Sequence, residues 1–195
     1  NARNMFIGWL KDAGLKVTFD DVGNIYGYRE GTEPDLPALF MGSHIDTVFK
    51  GGKFDGITGS MGALEVMDTL HANNIKTKRP IGVAVFTNEE GARFKPALLG
   101  SGVLTGFFTK EFVYSRQDLD GKVFGEELAK IGYMGEEKNR IKMPRGFLEL
   151  HIEQGPILDS EKLSIGVVEG IIAMTWYQVV VHGQSNQAGP TPMSM

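Results

Sequence analysis

Apolar residues recur along the chain at regular spacings that indicate which segments are helices. Residues 5–13 carry apolar side chains at helical spacing, and Gly14 is a plausible C-cap for that helix. A second helix is predicted over 58–73, where four apolar side chains form one stripe. Residues 122–131 form the third predicted helix.

Shorter apolar runs between these helices predict five strands. Two of them, 17–19 and 24–28, lie close to the first helix. The runs 37–43 and 81–87 are almost continuously apolar, which is typical of strands buried on both faces. The fifth strand is predicted over 147–152. Strands that alternate with helices in this way indicate an α/β sheet with helices on its faces.

The character of the sequence changes near Gly170. Residues 171–182 predict one long strand rich in valine and aromatic side chains. We therefore divide the chain into a first domain, residues 1–169, and the start of a second domain, residues 170–195.

Neither end of the chain resembles a natural terminus. Asn1 stands in place of an initiating methionine, and the first predicted helix follows directly. Met195 comes just after a turn-like Gly-Pro-Thr-Pro segment. We interpret the sequence as a fragment of a longer chain, in which a signal peptide could precede the part given.

Composition narrows the possible partners of the protein. The chain has 195 residues, of which 42% are hydrophobic, enough for a domain-sized core. Its net charge of −4, with both signs mixed along the chain, argues against a nucleic-acid partner. The absence of cysteine excludes disulfides and thiolate metal sites, and we expect a cytoplasmic protein. No segment approaches the roughly 18 apolar residues of a membrane helix, so no membrane partner is expected.

Candidate chemistry begins directly after the strand 37–43. One residue separates His44 from Asp46, so both side chains would point to the same side of an extended segment. Asp46 could then accept a hydrogen bond from the imidazole and orient it toward a metal. The alternative is an ordinary strand-end histidine beside a turn-forming aspartate. Asp55 follows in a glycine-rich loop, where an ordinary turn is again the alternative.

Two further clusters follow predicted strands. Glu89 and Glu90 come directly after the strand 81–87, and adjacent carboxylates repel each other unless a cation or a proton relieves them. One could bind a metal while the other takes a proton from an attacking water; the alternative is a solvated loop pair. His151 lies in the apolar segment 147–152, where a buried structural histidine is the alternative.

These clusters share one structural position. In open α/β sheets, functional groups gather outside the carboxyl ends of the strands, and His44, Glu89 and His151 all fall at such ends. Imidazole and carboxylate groups are the ligands that zinc and similar metals prefer. Together the clusters predict most of a two-metal hydrolase site.

Five motifs of the chain resemble those of a known group of enzymes, the dinuclear metallo-aminoacylase/carboxypeptidase superfamily. The resemblance is to its ureido-cleaving branch, which contains N-carbamoyl-L-amino-acid hydrolases, allantoate amidohydrolases and β-ureidopropionases. It implies a metallopeptidase-like α/β catalytic domain with a central mixed sheet flanked by helices. An inserted α+β lid and dimerisation domain would begin near residue 170. The motifs that carry the resemblance cover residues 42–48, 51–56, 87–94, 99–102 and 149–156.

The resemblance also implies a ligand set for two divalent metal ions per subunit, which could be Zn, Mn, Co or Ni. Asp55 would bridge the two ions. His44 and His151 would complete one metal, and Glu90 would bind the other. The last histidine ligand lies in the C-terminal part of such enzymes.

Four roles beyond metal binding follow from the same resemblance. Glu89 would act as general base and acid, and Asp46 would orient His44. Gln154 and Gln187 are assigned to substrate binding. Gln187 stands where the family usually has a histidine that stabilises the oxyanion. Glutamine donates a neutral and therefore weaker hydrogen bond, so this subfamily works with glutamine, the enzyme is slower, or the residue has been altered.

The predicted function is that of a metal-dependent amidohydrolase acting on small molecules. It would cleave the ureido or linear amide bond of N-carbamoyl amino acids or related ureido acids, as a homodimer formed through the lid domain. A peptidase or N-acyl-amino-acid deacylase with the same metals is the first alternative, and the Gln-Gly-Pro segment argues against it. A non-catalytic binding homologue is the second, and the intact set of ligand-type residues argues against that.

Overall fold

A computed structural model describes residues 2–175, 177 and 179–194. The chain divides into two compact units, Asn1–Gln154 and Gly155–Met195. Each unit is described by itself.

The first unit is built on the mixed sheet that the sequence predicts. Its five strands are β1 Lys16–Phe19, β2 Ile25–Arg29, β3 Leu39–His44, β4 Ile81–Phe86 and β5 Gly146–Leu148. Their order in the sheet is β1-β2-β4-β3-β5. The pairs β1/β2 and β2/β4 are antiparallel, whereas β3 runs parallel to both β4 and β5.

Helices pack against this sheet. The three predicted helices are present, with ends within a few residues of those expected. The helices are α1 Ala2–Asp12, α2 Ile57–Ala72, α3 Leu99–Leu104, α4 Lys110–Tyr114 and α5 Phe124–Lys130, with a 3-10 helix at Glu137–Asn139. The helices α3 and α4 have six and five residues, too few to show helical periodicity in the sequence.

The core lies mainly on one face of the sheet. Val83 and Val85 of β4 point into the larger cluster with Leu10 of α1 and Met67 of α2, and all four are fully buried. Ala84, between the two valines, belongs to a smaller cluster on the opposite face. Burial on both faces explains why β4 is almost continuously apolar.

Close packing of β3 against β4 fixes the edge where the polar clusters lie. Gly42 of β3 has a φ of +147°, and a Cβ there would overlap the carbonyl group of Ala84. Only glycine leaves room for the strands to pair at this point. The register then continues to His44 opposite Phe86, which brings the segments after both strands together.

The fifth strand is shorter than predicted. It ends at Leu148, so residues 149–152 lie beyond the sheet. The carbonyl of Leu150 packs so closely on Gly59 of α2 that a Cβ there would overlap it. The chain therefore crosses the start of α2, and His151 lies past the strand end.

Among its described residues, the second unit contains one short helix, α6 Ile157–Glu161. A long strand is predicted over 171–182; residues 176 and 178 of that range lie outside the described residues, and the described ones form no strand pairing. A strand needs a neighbour for its backbone groups, and an apolar pattern alone does not supply one. The domain boundary at residue 170 stays a prediction. In the described part of the chain, no helix has the length and apolar character needed to span a membrane.

Candidate active site

His44 ends β3 and is 1% exposed. Its Nδ1 lies 2.9 Å from the carbonyl oxygen of Asp46. A carbonyl oxygen can only accept, so in the neutral ring Nδ1 carries the proton and the lone pair of Nε2 faces the other site residues. The hydrogen bond that the sequence predicts between these residues is thus made by the backbone of Asp46. The Asp46 carboxylate is 3.7 Å from Nδ1, beyond hydrogen-bond distance.

The Asp46 carboxylate instead binds the loop that follows β4. Its two oxygens accept hydrogen bonds from the backbone N–H groups of Glu89, at 3.2 Å, and Glu90, at 3.1 Å. This aspartate therefore joins the loop after β3 to the loop after β4. Sequence reasoning missed the contact because its donors are backbone groups, which carry no sequence signature.

Asp55 lies between the two histidines of the site. Its Oδ1 is 3.7 Å from Nε2 of His44 and 3.3 Å from Nε2 of His151. Its Oδ2 accepts a hydrogen bond from the side-chain amide of Gln154. The next residue, Gly56, has a φ of +65°, and a Cβ there would overlap the His44 ring. Glycine is needed for the start of α2 to approach the histidine so closely.

His151 is oriented in the same manner as His44. Its Nδ1 lies 2.9 Å from the carbonyl oxygen of Ile152, so its Nε2 lone pair faces Asp55. The possible ligand atoms of His44, Asp55 and His151 all lie within 4.8 Å of one another. Two imidazole nitrogens and a carboxylate oxygen suit a divalent metal such as zinc, and the residues present fit such an ion.

The two glutamates complete the cluster. Oε2 of Glu89 is 3.5 Å from Nε2 of His44. Burial raises the pKa of Glu89; His44 opposes the shift, and the carboxylates of Asp46 and Glu90 add to it. Burial also raises the pKa of Glu90, and Asp55 contributes to that shift. Among the described residues, Oε1 of Glu90 is buried without a hydrogen-bond partner, as expected of an atom that takes a cation.

Arg93 anchors the loop that carries these glutamates. Its guanidinium donates to Asp118 at 2.9 Å and to Glu127 of α5 at 2.7 Å. It also lies 4.8 Å over the ring of Phe94. A role for Arg93 could not be predicted from the sequence, because its partners lie 25 and 34 residues further along the chain and nothing local indicates them.

The second unit holds Gln187. This residue is exposed, and its carbonyl oxygen accepts a hydrogen bond from Thr191 Oγ1 at 2.6 Å. The substrate-binding role of Gln187 stays a prediction. The first unit brings together the other predicted site residues, which are His44, Asp46, Asp55, Glu89, Glu90, His151 and Gln154.

The chain is similar to known proteins over nearly its whole length. The chain is 45% identical over 193 residues to an N-carbamoyl-L-amino-acid amidohydrolase of Rhizobium meliloti, covering 99% of this chain and 46% of that protein. It is 38% identical over 202 residues to allantoate deiminase 2 of Glycine max, covering 100% of this chain and 42% of that protein. The chain spans about half the length of the curated relatives it matches.

The fold is also found among solved structures. A hydantoinase/carbamoylase family amidase from Burkholderia ambifaria matches with a TM-score of 0.79 and 40% identity, covering 82% of this chain and 39% of that one. Residues 40–193 match peptidase family M20/M25/M40. The resemblance inferred from the motifs is confirmed, and the chain belongs to peptidase family M20/M25/M40.

Proposed function

We propose that the protein is a metal-dependent amidohydrolase that cleaves the ureido or linear amide bond of N-carbamoyl amino acids or related ureido acids. The observation that carries this proposal is the arrangement of His44, Asp55 and His151 as possible metal ligands, with Glu89 3.5 Å from His44. The names of its relatives, an N-carbamoyl-L-amino-acid amidohydrolase and an allantoate deiminase, support the substrate class.

The residues of the site would hold two divalent ions. His44, Asp55 and His151 would bind one, and Asp55 would share the second with Glu90 and a ligand from outside this chain segment. The Nε2 lone pairs that face Asp55 support the first set, and the buried Glu90 oxygen supports the second. Bound ions would polarise the substrate carbonyl and lower the pKa of the attacking water.

Glu89 is the proposed general base and acid. Its carboxylate lies 3.5 Å from His44, and burial raises its pKa, which favours a group that both takes and gives a proton. Glu89 takes a proton from water as the water oxygen adds to the ureido carbonyl carbon, and then gives it to the leaving nitrogen. The bond from carbon to the amino-acid nitrogen breaks, and the carbamate released decomposes to ammonia and carbon dioxide. Asp46 holds the backbone of both glutamates throughout.

Two glutamines are assigned to the substrate. Gln154 reaches Asp55 with its amide, which supports a place beside the reacting group. Gln187 would donate a hydrogen bond to the developing oxyanion from the lid domain, residues 170–195 and beyond. That domain would also join two subunits in a homodimer. The exposed apolar side chains of this segment, including Ile171 and Val181, support a buried role in the complete protein.

A substrate panel tests the proposal. The complete protein, loaded with zinc or manganese, is assayed with N-carbamoyl amino acids, allantoate, N-acyl amino acids and dipeptides, and the free amine is measured. We expect the ureido acids to have the highest kcat/KM, with Glu89→Gln as the control for contaminating hydrolases. Faster cleavage of dipeptides would instead identify a peptidase, and no turnover of any linear amide would identify a non-catalytic homologue.

A further inference from the structure

Asn24 is a buried residue that binds the backbone just before the loop with Glu89 and Glu90. It precedes β2 and is fully buried. Its Oδ1 accepts a hydrogen bond from the backbone N–H of Thr87 at 2.9 Å. Its Nδ2 donates to the carbonyl of Gly100 at 3.1 Å and to Oδ2 of Asp20 at 2.8 Å. The side-chain amide thus links the backbone at Thr87 and at Gly100 to the carboxylate of Asp20, and both of its polar atoms have a partner.

Asp20 determines which way this amide faces. Its carboxylate accepts from the backbone N–H groups of Val22 and Asn24, from the Asn24 amide, and from the hydroxyl of Tyr26 at 2.6 Å. Burial raises the pKa of Asp20, and the hydrogen bonds from Tyr26 and Asn24 oppose that shift. Because a carboxylate can only accept, the NH₂ group of Asn24 must face Asp20, and its oxygen must face Thr87.

Thr87 is the last residue before the loop that carries Glu89 and Glu90. Its carbonyl accepts from the backbone N–H of Gly100 at 2.9 Å, and its hydroxyl accepts from Arg3 at 2.8 Å. The backbone pairing continues from Leu98 N–H to the carbonyl of Glu89 at 2.8 Å. The loop is thus fixed at its start through Asn24 and at its glutamates through Asp46.

Gly100 lies so close to the Asn24 amide and the Thr87 backbone that only glycine fits there. A Cβ at Gly100 would overlap Oδ1 of Asn24 and lie 2.7 Å from the backbone nitrogen of Thr87. Any side chain there would push the amide away from its donor. Glycine at this position and asparagine at position 24 therefore serve the same contact.

We propose that Asn24 is a positioning residue that places the Glu89 carboxylate for proton transfer. The inference rests on the proposed function, in which Glu89 is the general base. Without Asn24, the buried N–H of Thr87 has lost its acceptor, and the loop must shift to find another. A displacement of about 1 Å at a reacting group can lower the rate by about 10²-fold.

The test compares three variants of the complete, zinc-loaded protein. Two change the contact between Asn24 and Thr87, and one removes the hydroxyl that binds Asp20. Asn24→Leu removes the acceptor of Thr87, and Gly100→Ala displaces it. Tyr26→Phe removes a hydrogen bond to the same aspartate but keeps Oδ1 of Asn24 as the acceptor of Thr87, so it is the control for lost stability. The readouts are kcat and KM on an N-carbamoyl amino acid, bound zinc, Tm, and hydrogen exchange of the peptide that contains residues 87–90.

We expect Asn24→Leu and Gly100→Ala to lower kcat by about 10- to 100-fold with little change in KM or bound zinc. Exchange at 87–90 should rise in both, whereas Tyr26→Phe should lower Tm alone. Equal kcat losses in all three variants, or unchanged exchange at 87–90 in the first two, would overturn the proposal. If Asn24→Leu does not fold, Asn24→Ala, which removes the same acceptor without added bulk, decides by the same criteria. Wild-type protein that hydrolyses no ureido acid would refute the proposed function, and the exchange data would still decide whether Asn24 fixes the loop.

Discussion

At the scale of single residues, both histidines of the site are oriented by backbone. His44 and His151 each direct Nδ1 to a carbonyl oxygen one or two residues further along the chain, at 2.9 Å in both cases. Substitution of a neighbouring side chain cannot remove such an acceptor. The Asp46 carboxylate is thereby free to hold the backbone of Glu89 and Glu90.

Replacing Glu89 and Glu90 by glutamine, one at a time, should have two different effects. Glu89→Gln removes the group that moves the proton, so kcat should fall by roughly 10²- to 10⁴-fold while bound metal is retained. Glu90→Gln should weaken metal retention instead, because its buried oxygen is the proposed ligand. Metal content after dialysis and kcat at saturating metal distinguish the two effects.

The pair supplies its own control, since both variants remove one charge from neighbouring positions of one loop. Equal metal loss in the two variants would contradict the division of roles. Near-normal kcat in Glu89→Gln would show that another group carries the proton.

At the scale of the elements, the pairing of β3 with β4 depends on Gly42. Gly42→Ala places a methyl group against the carbonyl of Ala84 at a positive φ, so we expect a loss of about 1–3 kcal/mol or more in the free energy of unfolding. Gly8→Ala, in α1 where no atom beyond its chain neighbours and the surrounding helix backbone lies within 4 Å of the added Cβ, should gain about 0.5–1 kcal/mol. Urea unfolding of both variants measures the difference. Similar stability of the two variants would show that β3 can shift to accept the methyl group.

Periodicity predicted the elements that are long or fully buried. The helices α1 and α2 and the strands β3 and β4 were found because many residues repeat one pattern. The helices α3 and α4 are too short to repeat it. The predicted strand over 171–182 shows the opposite error, because an apolar pattern indicates burial and says nothing about a pairing partner.

The candidate site divides in a similar way. Its side chains could be named from the sequence, since the carboxyl ends of parallel strands meet at one edge of a sheet. The contacts that position those side chains could not be predicted from the sequence. Asp46 and Asn24 accept hydrogen bonds from backbone N–H groups, and those N–H groups belong to segments far along the chain.

At the scale of the whole molecule, the described chain supplies a site in its first unit and Gln187 in its second. If Gln187 is a weakened oxyanion donor, Gln187→His should raise kcat of the complete protein on N-carbamoyl amino acids, since a stronger donor lowers the barrier. The contribution at stake is up to about 10²- to 10³-fold, the cost of losing such a donor entirely. Steady-state kinetics with the same metal measures it, with Gln187→Ala as the comparison.

A neutral result for Gln187→His beside a large loss for Gln187→Ala would show that this subfamily is built around glutamine. Unchanged kcat in both variants would remove Gln187 from the site.

The edge strand β5 gives the proposed metal a second task. Only three register positions join β5 to β3, and Leu148 at its end is 64% exposed. An ion shared by His44 and His151 would act as a cross-link between strand ends that are distant in sequence, much as a disulfide closes a long loop. Chelation should therefore speed hydrogen exchange over 146–154 while β4 stays protected; uniform exchange across the sheet, or none, would contradict this. Loss of the metal would then undo the assembly of the site as well as its chemistry.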